Sequence, residues 1–147
     1  MPGRFARCVI AAAGLSMMLA HAGDDPLERY TWKNRLLLVF APSSDDPRLR
    51  AQQDILASVA PGLRERDLVV LQMSPGSEII IDNRSAPGVD SDRVYRDFDI
   101  EKQAFAALLV GKDGTLKLSS NSPLDSRKIF DLIDSMPMRQ WEMQNQD

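Results

Sequence analysis

Between Arg35 and Leu56 the chain reads RLLLVFAPSSDDPRLRAQQDIL: an unbroken apolar run, a Pro/Ser/Asp turn, then residues at helical spacing. Residues 36–41 (LLLVFA) do not alternate between apolar and polar, so both faces of the strand they form must be covered, as in the interior of a parallel sheet. Pro47 suits the first turn of a helix capped by Asp45 or Asp46, and Leu49, Leu56, Val59 and Leu63 recur near helical spacing until Pro61-Gly62 ends or frays it. Residues 67–73 (DLVVLQM) form a second apolar run, and strand, helix, strand in that order calls for a parallel crossover. In an open α/β fold the loop leaving such a strand is where ligands and chemistry sit. Here that loop holds no cysteine, no histidine and no glycine-rich phosphate cradle.

The rest of the chain completes an α/β domain. Before the first strand, Tyr30 and Trp32 are expected to pack on the domain's flank, and residues 25–29 could open a short helix with Pro26 at its first position. Residues 78–82 (EIIID) read as an extra edge strand or hairpin arm ahead of a loop at 83–88. Asp90, Ser91 and Asp92 offer caps for a helix bearing Val94, Tyr95 and Phe98. Residues 104–110 and 115–118 flank Gly111-Lys112-Asp113-Gly114, whose Asp-Gly pair signals a hairpin because its turn needs positive φ. The last helix, residues 122–135, carries Ile129, Leu132, Ile133 and Met136 on one face, with Asp125 as a cap option and Pro137 as its stop. Residues 138–147 read as a tail that need not be ordered.

The N-terminus obeys a different logic. Arg4 and Arg7 precede the apolar residues 8–20, and Ala20-His21-Ala22 has the small-x-small form of a cleavage site, so residues 1–22 read as a secretory signal peptide. The apolar run is shorter than the roughly 20 residues a membrane span needs, and Cys8 precedes the run instead of closing it, which argues against lipidation. Cleavage after Ala22 would place the protein in the periplasm or outside the cell, with no membrane span. It would also remove Cys8 and His21, the only cysteine and the only histidine. A chain without either has no disulfide, no thiol redox chemistry, no Ser-His-Asp or Cys-His nucleophile and no thiolate or imidazole zinc site. Its net charge would move from −3 to −5, which disfavours nucleic acid as a partner.

Strand, helix, strand, helix, antiparallel hairpin, helix is the order of the thioredoxin fold. The expected architecture is therefore a central mixed sheet of about four to five strands with helices on both faces, spanning residues 23–137. Four stretches carry a closer resemblance: Trp32-Lys33-Asn34-Arg35 before LLLVFAP, residues 65–70 (ERDLVV), LLVGKDG with Lys117, and residues 134–139 (DSMPMR). By these the chain resembles secreted bacterial members of the family called domain of unknown function 4174, which is related to the repeated domains of a vertebrate matrix protein, coiled-coil domain-containing protein 80. The resemblance implies a thioredoxin-like fold and, through the matrix protein, a polysaccharide or envelope-protein partner. Where a thioredoxin carries Cys-x-x-Cys this chain has Ser43-Ser44-Asp45-Asp46, and it has no proline ahead of the third core strand near Ala104 or Phe105. Thiol oxidoreductase and peroxidase activity are thus excluded for the mature chain, since a fold alone does not carry function.

The residues expected to contact a ligand are Pro42, Ser43, Ser44, Asp45, Asp46 and, from the neighbouring turn, Phe105. Ser43 and Ser44 at a helix N-terminus could hold an anion, although Asp45 and Asp46 put negative charge at the same spot and capping explains all four. Asp45, Asp46, Asp90 and Asp92 could be drawn together for calcium or acid/base work, but they lack EF-hand spacing. Met136, Met138 and Met143 beside Trp141 could offer thioether sulfur to Cu(I), against the commoner role of methionine as core filler. Arg48, Arg50, Arg64 and Arg66 read as the solvated face and end of one helix. Two functions follow: a redox-silent binding module that needs no cofactor, or a carboxylate- or serine-based enzyme using the loop from Ser43 to Asp46.

Overall fold

The computed structural model describes residues 25–146. The signal-peptide reading of residues 1–22 lies outside these. A short 3-10 helix (Glu28–Tyr30) leads into β1 (Arg35–Phe40), α1 (Pro47–Ser58), α2 (Ala60–Glu65), β2 (Leu68–Met73), β3 (Ile79–Ile81) and β4 (Arg84–Ala86). Then come α3 (Ser91–Asp97), β5 (Ala106–Val110), β6 (Leu116–Ser120), α4 (Ser126–Asp134) and α5 (Pro137–Gln144). The six strands form one mixed sheet in the order β4-β3-β2-β1-β5-β6, one or two strands more than expected. Only β1 and β2 run parallel; the other pairs are antiparallel.

β1 is the centre of the sheet and all six of its residues are buried. Its odd and even positions feed two separate cores. Leu37 and Val39, with Val70, Ala107 and Leu109, pack against Leu49 and Leu56 of α1, Leu63 of α2, and Ile129 and Ile133 of α4. Leu36, Leu38 and Phe40, with Leu71, Met73 and Leu108, pack against Val94 and Tyr95 of α3 and Leu27. The continuous apolar run is thus two period-two patterns superimposed, each facing a helical layer. The Tyr95 ring meets Phe40 edge-on at 4.9 Å, and its hydroxyl lies 3.4 Å from the Met73 carbonyl oxygen.

The helix starts follow their caps. Asp46, Asp90 and Asp125 each accept a backbone N–H from the first turn of α1, α3 and α4. Pro61 does not simply terminate the first helix: Val59 breaks it, and Pro61 stands in the first turn of α2. The same substitution of a start for a stop occurs at Pro137, which opens α5, so residues 138–144 of the stretch read as a tail are helical. The segment 78–82 becomes β3, and part of the expected loop at 83–88 becomes its partner β4. Asp82 and Asn83, at φ 46° and 66°, make the two-residue turn between them.

Candidate functional site

The β1–α1 loop lies at the carboxyl ends of the two parallel strands, and its charged groups are spent on one another. The Asp46 carboxylate accepts the Arg48 backbone N–H at 2.9 Å, Nε at 3.0 Å and Nη2 at 2.8 Å. The hydrogen bonds from the Arg48 side chain hold its pKa down to about 2. Asp45 pairs with Arg50 at 3.6 Å. The Arg48 guanidinium lies 5.3 Å from the Phe105 ring centre, and Phe105 itself is 3% exposed. Phe105, expected as a contact residue, is therefore built into the core and presents little surface at this loop. Ser43, Ser44 and Asp45 are exposed, while Pro42 and Asp46 are half-buried.

Beside this loop, a cleft of about 410 Å³ opens between α1 and the β3–β4 hairpin. Ser44, Gln53, Gln72, Ser74, Glu78 and Ser85 supply its polar lining. Gln53 Nε2 donates to Gln72 Oε1 at 2.7 Å, and the Ser85 hydroxyl donates to Glu78. Of the expected loop residues, only Ser44 reaches this cleft. Gln53, Gln72 and Ser85 were not legible as cleft residues because a glutamine or serine carries no sequence signal until the sheet order places it.

The other expected constellations do not assemble. Asp90 caps α3 through the Arg93 N–H at 3.1 Å, and Asp92 bonds Lys102 Nζ at 2.7 Å, which lowers its pKa. Both are thus engaged separately from Asp45 and Asp46, and among the described residues no group of three or more His, Cys, Asp or Glu could hold a metal ion. Met136 packs against the core under α4 and shares a groove with Met138, but Met143 stands exposed on α5 outside it.

At the opposite end of the sheet stands an ionic cluster built around two buried arginines, which sequence reasoning missed. Arg35, 1% exposed at the start of β1, donates through Nη1 to the Arg66 carbonyl at 2.9 Å and to Glu142 Oε2 at 3.1 Å, and through Nη2 to Glu142 Oε1 at 3.3 Å. Lys112 Nζ bridges Glu142 at 2.6 Å and Asp67 at 2.9 Å. Arg139, also 1% exposed, donates to the Glu65 carbonyl at 3.1 Å and its carboxylate at 2.9 Å. Arg66 is not the solvated helix end expected of it: it grips Asp134 at 2.9 and 2.7 Å and lies 4.2 Å over the Phe130 ring. Burial is the largest influence on both Glu142 and Asp134 and opposes ionisation, but the cations' hydrogen bonds outweigh it and lower both pKa values. The four stretches that carried the resemblance meet here.

The mixed sheet flanked by helices defines a thioredoxin-like protein, and comparison with solved structures agrees. The fold is similar to a thioredoxin peroxidase I of Plasmodium yoelii, with a TM-score of 0.56 and 17% identity, covering 82% of this chain and 81% of that one. It is also similar to the reduced 2-Cys peroxiredoxin of Plasmodium vivax, with a TM-score of 0.58 and 13% identity over 78% and 83% of the two chains. Within that fold, the chain belongs to the family described as domain of unknown function (DUF4174), whose model matches residues 26–142. It is 36% identical over 134 residues to coiled-coil domain-containing protein 80 of Danio rerio, a match covering 80% of this chain but only 15% of that relative.

Proposed function

We propose that this protein is an exported, redox-silent thioredoxin-like binding module that takes a hydroxyl-rich ligand, a polysaccharide of the cell envelope or matrix, in the cleft beside the β1–α1 loop. The observation that carries this reading is the cleft's lining. Serine hydroxyls, glutamine amides and one carboxylate converge beside the apolar Leu49 and Ile80 at the carboxyl ends of β1 and β2, where open α/β sheets meet their ligands. Amides and hydroxyls each donate and accept, which matches the mixed donor and acceptor pattern of a sugar. The reading of residues 1–22 as a signal supports the location, and loss of Cys8 with it supports redox silence.

The alternative enzyme has less behind it. Asp46, held at about 2 by Arg48, is a weak base, and no histidine remains to activate Ser43. The test is calorimetric titration of residues 23–147 with neutral and acidic oligosaccharides, alongside insulin-reduction and peroxide-turnover assays. Saturable binding that weakens at least about tenfold in Gln53→Ala and Ser85→Ala supports the proposal, a loss of about 1.4 kcal/mol or more. Thiol or peroxide turnover contradicts it, as does a secreted protein whose N-terminus still carries Cys8.

A further inference from the structure

The end of the sheet carrying the ionic cluster also carries a groove of about 400 Å³. Its apolar side is built by Trp32, Met136, Pro137 and Met138, and its polar side by Arg35, Lys112 and Lys117 with Asp113. Among the described residues, the five large apolar side chains left exposed are Trp32, Leu116, Met138, Trp141 and Met143. All five sit on elements at this end: the turn before β1, the start of β6, and α5. Of these, Trp32 and Met138 line the groove itself, and a groove with exposed apolar walls is a candidate interaction site.

Trp32 is held there against its own backbone preference. It is 66% exposed at φ 65°, a left-handed conformation uncommon outside glycine, and its N–H donates to the Lys112 carbonyl at 2.6 Å. A strained, exposed aromatic ring beside a groove is the kind of residue that marks a ligand contact.

The hydrogen-bond inventory gives the ligand's polarity. Both oxygens of each nearby carboxylate already accept a hydrogen bond: Glu142 receives Arg35 on both oxygens and Lys112 on one, while Asp113 receives the Thr115 N–H and hydroxyl on one oxygen and Lys117 on the other. Donors are in surplus. Lys112 has three N–H groups and two partners, and Lys117 has three and one. Lys117 is folded over Gly111, where a Cβ would stand 2.6 Å from its Cε, so the loop's glycine lets the ammonium stay at the groove.

We infer that this groove is a second binding site, separate from the cleft at the carboxyl ends of β1 and β2, for a small carboxylate with an apolar body, its hydrocarbon against Trp32, Pro137 and Met138 and its carboxylate on the surplus lysine donors. The groove's volume suits an arylalkyl or medium-chain acid. The site leaves the ionic cluster intact and uses only the N–H groups the cluster leaves over.

Titration of the purified chain with hydrocinnamate and octanoate, followed by calorimetry and tryptophan fluorescence, tests this directly. Hydrocinnamyl alcohol, of the same body without the charge, is the control. The acid should bind at least about tenfold more tightly than the alcohol, the difference a charge-assisted hydrogen bond makes. Trp32→Gly removes the ring while suiting the positive φ, so it should keep its thermal midpoint and lose about tenfold or more in affinity. Lys117→Gln should bring acid and alcohol within about twofold of each other. Should Trp32→Gly fail to fold, Met138→Ala takes its place. Equal binding of acid and alcohol, or acid binding unchanged in these variants, overturns the inference. So does self-association through Trp32 with no response to the acid.

Discussion

Glu142→Gln is the sharpest probe of how α5 is held. Its carboxylate accepts both Arg35 Nη groups and the Lys112 ammonium, and its side chain is 15% exposed against 1% for Arg35. Glutamine keeps the shape but offers one acceptor oxygen and turns an NH₂ toward a guanidinium. Arg35 would retain the Arg66 carbonyl but lose its counter-charge. Removing one partner of a buried pair costs about 3–5 kcal/mol, and the retained amide oxygen and Lys112's second partner Asp67 put this case at the lower end, about 3 kcal/mol. For a domain of this size that is a fall of about 10 °C in Tm. Urea and thermal unfolding at neutral pH measure it. Because Glu142 has a lowered folded pKa, its stabilisation is present above the ordinary glutamate value of about 4.5 and is lost as pH falls through the folded value. Wild type and variant should therefore converge in acid below that value. A loss under about 1 kcal/mol at neutral pH, or a gap that widens on acidification, refutes the ion-pair account of α5 docking.

Two further outcomes follow from the same geometry. Gln52 is fully buried and bonds both the Leu124 carbonyl, at 3.1 Å, and the Leu124 N–H, at 2.7 Å, fastening the approach to α4 onto α1. Gln52→Leu leaves two buried backbone groups unpaired and should cost about 2–4 kcal/mol in urea unfolding. At the start of α1, Asp46 already occupies the Arg48 N–H, so millimolar phosphate should leave Tm unchanged in wild type and in Ser43→Ala alike.

What was readable in the sequence was whatever local pattern determines. The unbroken run at residues 36–41 placed β1 at the sheet's centre, and Asp46, Asp90 and Asp125 start the helices expected of them. The Asp113-Gly114 pair marked the β5–β6 hairpin, with Gly114 at φ 77°. Proline was the local signal that misled, since at Pro61 and Pro137 the residue that stops one helix stands in the first turn of another. The ionic cluster was invisible for a different reason. Arg35 and Glu142 are 107 positions apart, and a charged residue is read as surface until its partner is known. The same applies to the cleft, whose glutamines and serines are brought together only because β3 and β4 extend the sheet past β2.

The measurement that bears most directly on the central claim is a set of ¹H–¹⁵N shift maps of residues 23–147 during titration with envelope polysaccharide fragments. The account predicts perturbations concentrated at Ser44, Gln53, Gln72, Ser74, Ser77 and Ser85, with no turnover of peroxide or disulfide in the same samples. Perturbations absent from those residues while the fragments bind elsewhere, or any turnover by the cysteine-free chain, would contradict it.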